Sequence, residues 1–498
     1  MSQKLNQVKE IHLIYDDSLL LVYPTFPALE KLLSYTSKET VQDYSAPSGF
    51  RMVMEKCLVH EVINKDGNRA CQTHAGFTKK VIKFLLGLRE FKLNIVDQRR
   101  KFPAPKLNLM HGFRFNQKEV VTDVLNQDRD GLIGAPTRWG KSFAMLNILR
   151  AYPGVKTAVV CPGADLVKQN YTFLKENLPK RKVIQIGGGS TKKTGDEDIA
   201  VCSMDSMHKL DADRIQLVLI DEPHALVTEN RVESFLPLCN ARKIGVGATL
   251  EGRFDGRDIY MEGLIGPVLS NTTFQQGVEL GAICPIHVIG IPIHIKPYPV
   301  KMRAAAYKKL LHLNSDVADA IAYISNEILP RNWQSLTFIN NEVQGEFLAS
   351  QLEGHKLIMA KQCSKSRRNS FTTLMKLNFI KRALATKIYA QGVTFNHVRA
   401  IINGEGGGRN ISGIQKAGRL AEVREGKKCG VVFDFCFSID PRIRGQVNPK
   451  AYNKNSCAWQ KLLKDSKSRW EMYESLGYTL HYSPNLEDAK DYFNKVAI

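Results

Sequence analysis

The sequence lacks any C-x-x-C pair, although it holds ten cysteines among 498 residues. Their scatter argues against a zinc ribbon and against a disulfide framework, and leaves reduced, buried thiols as the expectation. No uninterrupted apolar run reaches about 18 residues, so no membrane-spanning helix is expected. The N-terminus, Met1 to Asp17, has no apolar core of signal-peptide length followed by a small-residue cleavage site. Internal repeats and low-complexity tracts are absent too, which argues against solenoid and fibrous classes. Acidic residues are in short supply: 49 Asp and Glu face 70 Lys and Arg, a formal charge of +21 at pH 7. That balance suits a polyanionic partner, with an anionic membrane surface as the competing reading.

What is present is enough to fold. Hydrophobic residues make up 43% of the chain, which excludes global disorder, and 498 residues predict about three domains. Residues 1–105 read as a small α+β accessory domain, with β-like runs at Leu19–Tyr23 and Arg51–Val53 and helix-like stretches at Ala28–Tyr35 and Thr78–Leu88. The basic, Pro-rich segment Gln98–Lys106 reads as a linker. From 110 to 280, short apolar runs alternate with helix-period segments, the signature of βαβ units and a parallel sheet. The runs are Gly131–Gly134, Thr157–Cys161, Val183–Ile186, Ile199–Cys202, Leu217–Ile220 and Ile244–Val246. A second series spans 285–440: His287–Ile291, Ser335–Ile339, Lys356–Met359, Ala383–Thr386, Arg399–Ile402 and Val431–Asp434. The stretch Gly277–Pro285 reads as the hinge. Residues 441–498 read as a short helical appendage, with Trp470 and Tyr473 spaced either for packing or for stacking on a base.

Two elements of the first series carry chemistry. The segment Leu132-Ile-Gly-Ala-Pro-Thr-Arg-Trp-Gly-Lys-Ser142 is a strand, a Gly/Pro turn and a helix start. Ala135, Pro136, Thr137, Arg138, Trp139 and Gly140 would form a phosphate-binding turn, with Ala135 where such loops usually open on glycine. Gly140 lets backbone N–H groups approach phosphate oxygens, Lys141 reaches the β- and γ-phosphates, and the Ser142 hydroxyl binds Mg²⁺. The helix that follows points its positive end at the same phosphates. Eighty residues on, Leu217-Val-Leu-Ile-Asp-Glu-Pro-His224 is an apolar strand ending in two carboxylates. Asp221 would hold Mg²⁺ and Glu222 would polarise the attacking water. In a parallel sheet both elements fall at the carboxyl ends of strands, where ligands bind.

With these strings the chain resembles the superfamily 2 helicases, over about residues 110–440. Further motifs stand in that family's order. Gln117 resembles the upstream glutamine that reads adenine. Pro162 and Gln169, in Cys161-Pro-Gly-Ala-Asp-Leu-Val-Lys-Gln169, and Ser203, in Cys202-Ser-Met-Asp-Ser-Met207, resemble nucleic-acid contacts. Gly247-Ala-Thr-Leu250 resembles the motif coupling hydrolysis to strand contact, a role His224 would share. In the second series, Asn340 of Phe338-Ile-Asn340 and Thr386 of Ala385-Thr386 resemble strand contacts, and Gly392 lies in the latter motif. Gln415-Lys-Ala-Gly-Arg419 resembles the arginine-finger motif, with Gln415 and Arg419 in catalytic positions. The family pattern ends on a second arginine where this chain has Glu422; Arg424 follows two residues later. Bulky Arg138 and Trp139 also depart from the family's small residues, either lining the nucleotide's edge or pointing to solvent. Ile186-Gly-Gly-Gly-Ser190, Ile265-Gly-Pro-Val268 and the small N-terminal domain are similar to phage branch-migration helicases of the UvsW type.

The resemblance implies two tandem RecA-like motor domains, ATP and Mg²⁺ as cofactors, and hydrolysis that ratchets the protein along nucleic acid. It implies branched or forked DNA as partner, held by its backbone without sequence readout, alongside single-strand-binding or recombination proteins. Cytoplasmic placement follows, in the host cell for a phage-encoded chain. Residues 355–390 hold nine Lys and Arg and no acid, among them Arg367 and Arg368, a pattern that suits phosphate binding. Lys79, Lys80 and Lys83, with Arg99, Arg100 and Lys101, would hold a second duplex arm or be solvated surface. An RNA helicase, a restriction-type motor subunit and a non-catalytic binding protein stay open as alternatives, although no paired-carboxylate nuclease motif is present.

Overall fold

The structure, a computed structural model, describes residues 9–35, 39–42, 50–53, 56–63, 67–187, 195–250, 256–296, 303–359, 365–386, 395, 397–406, 419–440 and 459–497. The chain forms two compact units. One comprises Met1–Ala135 with Gly140–Thr272, the other Pro136–Trp139 with Thr273–Ile498.

The first unit carries two main sheets, besides the two-stranded pairs Ser34–Tyr35 with Lys56–Cys57 and Glu39–Gln42 with Phe50–Val53. The smaller has five strands in the order His60–Ile63, Arg69–His74, Leu19–Tyr23, Lys9–Tyr15 and Phe91–Asp97. Helix Thr78–Leu88 covers it with Val81 and Leu85. The larger sheet is parallel, with seven strands in the order Val183–Ile186, Ile199–Ser203, Thr157–Cys161, Leu217–Asp221, Arg242–Gly247, Gly131–Gly134 and Val268–Asn271. Most of these runs are buried along their whole length, as strands covered on both faces must be. Six were expected from the apolar runs. The seventh, Val268–Asn271, sits half-exposed at the edge and has no such signature.

The two sheets of this unit are locked together. Adding a Cβ to Gly76 would place it 1.9 Å from the Glu262 carbonyl oxygen, and one on Gly263 would meet the Phe77 ring at 2.8 Å. Only glycine permits that close approach. Lys243, 2% exposed, donates from Nζ to the carbonyls of Asp17 (2.8 Å), Cys239 (2.7 Å) and Ala241 (3.1 Å) and pairs with Asp130. The N-terminal cations are partly consumed in the same way. Lys80 pairs with Glu262 at 3.0 Å, Arg99 with Asp97 at 2.8 Å and Arg100 with Asp17 at 3.1 Å, leaving Lys79, Lys83 and Lys101 exposed.

The second unit holds another seven-stranded parallel sheet: Lys356–Ile358, Arg382–Ala385, Gln334–Phe338, Val398–Asn403, Gly430–Ile439, Ile286–Ile295 and Thr479–Tyr482. The expected hinge segment instead begins as helix Phe274–Glu279, capped reciprocally by Thr273 and Gln276. The C-terminal residues are more than a helical appendage. Their strand Thr479–Tyr482 pairs with His287–Gly290, helices Trp459–Ser475 and Leu486–Ala497 bury Trp459, Tyr473 and Phe493 in the core, and Tyr478, just before the strand, is buried too. Tyr473 is therefore a packing residue, not a base-stacking one.

Candidate nucleotide and nucleic-acid sites

Strand Gly131–Gly134 delivers the chain to the phosphate-loop sequence, and Ala135 N–H donates to the Gly247 carbonyl at 2.9 Å, tying the loop's root to the neighbouring strand. Gly140 turns at φ +97° and caps helix Lys141–Ala151, a conformation that favours glycine. Arg138 is also left-handed, at φ +77°. Trp139 is fully buried and does not point to solvent. Pro136, Thr137 and Arg138 are half-buried. Arg138 Nη2 stands 3.6 Å from Glu422 Oε2, and Arg424 Nη2 stands 3.6 Å from Glu422 Oε1. The acid at the departing position thus has an arginine on each side, so the local balance stays cationic.

Gln117, 1% exposed, opens helix Gln117–Asn126 beside this loop. Its Oε1 accepts from Arg114 N–H at 3.0 Å and its Nε2 donates to the Gly140 carbonyl at 3.4 Å. Strand Leu217–Asp221 then brings the acidic pair to the same edge of the sheet. The Lys141 ammonium pairs with Glu222 Oε1, and His224 Nδ1 lies 3.4 Å from Glu222 Oε2. Burial alone would raise the Glu222 carboxyl; the Lys141 and His224 charges outweigh it and hold it below the usual range. Burial, with the Glu222 charge next to it, pushes Asp221 up to about 6. Asn170 Nδ2 donates to Asp221 Oδ2 at 3.4 Å. Sequence reasoning missed Asn170, whose only signal is a polar side chain on the inner face of helix Ala164–Asn177.

Among the described residues no group of three His, Cys, Asp or Glu could hold a metal. Asp221 closes strand Leu217–Asp221, and Ser142 lies in the first turn of helix Lys141–Ala151. Gln415 and Gly392 lie outside the described residues, and Arg419 opens the short 3₁₀ turn Arg419–Ala421.

The family model described as type III restriction enzyme, res subunit, matches residues 110–252. "Putative helicase 22" of Sulfolobus islandicus filamentous virus (isolate Iceland/Hveragerdi) is 24% identical over 381 residues, covering 70% of this chain and 67% of that protein. The chain resembles the superfamily 2 helicases. Among solved structures, the type ISP restriction-modification enzyme LlaBIII bound to DNA matches with a TM-score of 0.50 at 14% identity, over 93% of this chain and 40% of that one. T4 UvsW matches with a TM-score of 0.41 at 14% identity, over 95% and 99%. Two seven-stranded parallel sheets, one in each unit, make the architecture RecA-like, and the chain is an enzyme of helicase type.

Of the residues that the superfamily 2 pattern assigns to nucleic acid, Pro162, Ser203, Asn340 and Thr386 lie at or just past the carboxyl ends of strands, and Gln169 lies on helix Ala164–Asn177. In the first unit, Pro162 is half-buried and Gln169 exposed, while Ser203 is buried with its Oγ 2.8 Å from Ser206 Oγ. In the second, Asn340 is exposed, with Nδ2 3.4 Å from His312 Nε2, and Thr386 is half-buried just past strand Arg382–Ala385. The basic stretch needs one correction. Arg382 donates to the carbonyls of Trp333, Ser325, Leu329 and Pro330, so it serves the fold. Arg367 is exposed on helix Lys365–Lys376, which also carries Arg368; Lys361 and Lys387 lie outside the described residues. Among the described residues no helix is long and apolar enough to cross a membrane.

Proposed function

We propose that this chain is an ATP-dependent DNA helicase or translocase that acts on forked and junction DNA in recombination, repair or replication. The observation that carries the reading is the Lys141–Glu222 ion pair beside buried Asp221, at the carboxyl edge of a parallel sheet and the start of a helix. With nucleotide bound, Lys141 would turn from Glu222 towards the phosphates. Glu222 would then lose part of the charge that depresses its pKa and be a better proton acceptor for the attacking water. Asp221 and Ser142 would hold Mg²⁺, which would supply charge neutralisation at the phosphates. Gln117 reads adenine from beside the loop, and Arg419 holds the arginine-finger position of the family's motif. The restriction-enzyme family model favours DNA over RNA. Phosphate release from Mg·ATP, compared across single strands, forks, four-way junctions and RNA, tests this. Strongest stimulation by forks or junctions is expected; stimulation by RNA alone would replace DNA with RNA, and equal low release on all would remove the branched-DNA reading.

The phosphate loop gives a second test. A Cβ at Gly140 would lie 2.4 Å from Gln117 Nε2, on a backbone at φ +97°. In Gly140→Ala the free loop relaxes and binding must re-impose the strained form. Nucleotide affinity should fall about 5- to 150-fold, for roughly 1–3 kcal/mol of strain. Titration with a fluorescent nucleotide measures it, and unchanged affinity would remove the loop from the site.

A further inference from the structure

Helix Lys365–Lys376 ends in a cap that turns apolar side chains outward. Asn378 adopts φ +63°, Phe379 N–H donates to the Leu374 carbonyl at 2.9 Å, and Asn378 N–H donates to the Met375 carbonyl at 3.0 Å. These are the paired bonds of a Schellman cap with asparagine in its left-handed position. The cap is anchored from below. Met375 and Ile380 are buried in the core, and Gln334, 1% exposed, donates from Nε2 to the carbonyls of Met375 (3.0 Å) and Ile380 (2.7 Å). The residues between these anchors are held rigidly. Leu377 is 60% exposed and Phe379 73%, the highest value for a large hydrophobic among the described residues. In such caps an apolar residue at the position of Phe379 commonly packs on the one at Leu374. Here Leu374 is itself 40% exposed, and the ring stays mostly uncovered.

Cations flank the cap in sequence. Arg367 and Lys376 are exposed on the helix, Lys381 follows the cap, and residues 355–390 hold no acid. An anionic ligand with flat apolar faces fits an exposed ring set among cations. A membrane surface fits less well, because it needs a continuous apolar helix face. The apolar residues of this helix are Phe371, Leu374 and Met375, of which Met375 belongs to the core. The cap also lies away from Asn340 and Thr386. They follow the carboxyl ends of parallel strands, whereas the cap precedes strand Arg382–Ala385, at the far end of a 12-residue helix about 18 Å long.

We propose that Phe379, backed by Leu377, is a base-stacking post for an unpaired strand whose phosphates run along Arg367, Lys376 and Lys381. It is a second contact, separate from the strand-end residues, and it rests on the reading of this chain as a nucleic-acid motor. Stacking on an exposed aromatic is sequence-tolerant and worth roughly a 5- to 150-fold change in affinity per base. The test is binding of full-length protein to oligo-dT by fluorescence anisotropy, with 2-aminopurine emission as a stacking signature. Phe379→Ala should weaken single-strand binding by about that factor and remove the 2-aminopurine quench, and Phe379→Trp should restore both. The slope of log affinity against log salt should stay unchanged in Phe379→Ala and shrink by about one in Lys376→Gln. Equal binding by wild type and Phe379→Ala would overturn the post and leave the motor reading intact. Wild-type protein that neither binds nor is stimulated by any nucleic acid would overturn the motor reading. Loss of binding to phosphatidylserine vesicles in Phe379→Ala, with oligo-dT binding unaffected, would overturn the post in favour of a membrane contact.

Discussion

Glu222→Gln is expected to lower nucleic-acid-stimulated phosphate release by about 10²–10⁴-fold while nucleotide binding persists. The side chain stands at a forced turn. Strand Leu217–Asp221 ends, Glu222 takes φ +54°, and its N–H donates to the Val246 carbonyl at 3.0 Å. Pro223 follows, lying over glycines of the adjacent strand: a Cβ on Gly247 would meet Pro223 Cδ at 2.8 Å. A left-handed backbone at a non-glycine residue costs about 1–3 kcal/mol and is kept where the rest of the fold over-determines it. Glutamine preserves that turn and the side-chain volume but removes the proton acceptor. Lys141→Ala makes the contrast, since it should lose nucleotide affinity as well as turnover. Phosphate release and nucleotide titration, run on both variants, separate the two roles. Turnover by Glu222→Gln within a few-fold of wild type would assign the proton to another group.

The parts of this site that were legible in the sequence share one property: their chemistry depends on short spacings. Gly140, Lys141 and Ser142 are consecutive, and Asp221 and Glu222 close an apolar run. Most motor strands were legible for the same reason, since Thr157–Cys161 and Leu217–Asp221 are unbroken apolar runs buried throughout. The residues that escaped depend on distant partners. Asn170 matters only once helix Ala164–Asn177 brings it to Asp221, 51 positions away. Strand Thr479–Tyr482 alternates without an apolar core, and pairing with Ile286–Ile295 is what makes it a strand. Trp139 looks like a solvent-facing intruder in a phosphate loop, yet it is fully buried. In each case burial is set by tertiary contacts, which overrule what local composition suggests.

Arg469→Ala is expected to destabilise the second unit by about 3–5 kcal/mol, visible as a lower denaturant midpoint. Asp434, 0% exposed at the centre of the sheet, is bound by Arg469 through Nε (2.9 Å to Oδ2) and Nη2 (3.0 Å to Oδ1). Its remaining lone pairs accept from Tyr473 Oη at 2.9 Å, Asn403 Nδ2 at 3.2 Å and Phe435 N–H at 2.7 Å. A fully buried carboxylate with that many donors has no water to fall back on. Removing the guanidinium leaves a charge in the core without its counterion, which costs more than the pair itself contributes. Replacing both partners, as in Asp434→Leu with Arg469→Met, should therefore be far milder than Arg469→Ala alone, and that non-additivity is the sharper measurement. Arg469 and Tyr473 both come from helix Trp459–Ser475, so the pair also ties that helix to the sheet. If Arg469→Ala unfolds at the wild-type midpoint, the ion pair does not hold that helix in place, and the apolar contacts of Trp459, Leu462 and Met472 carry the attachment instead.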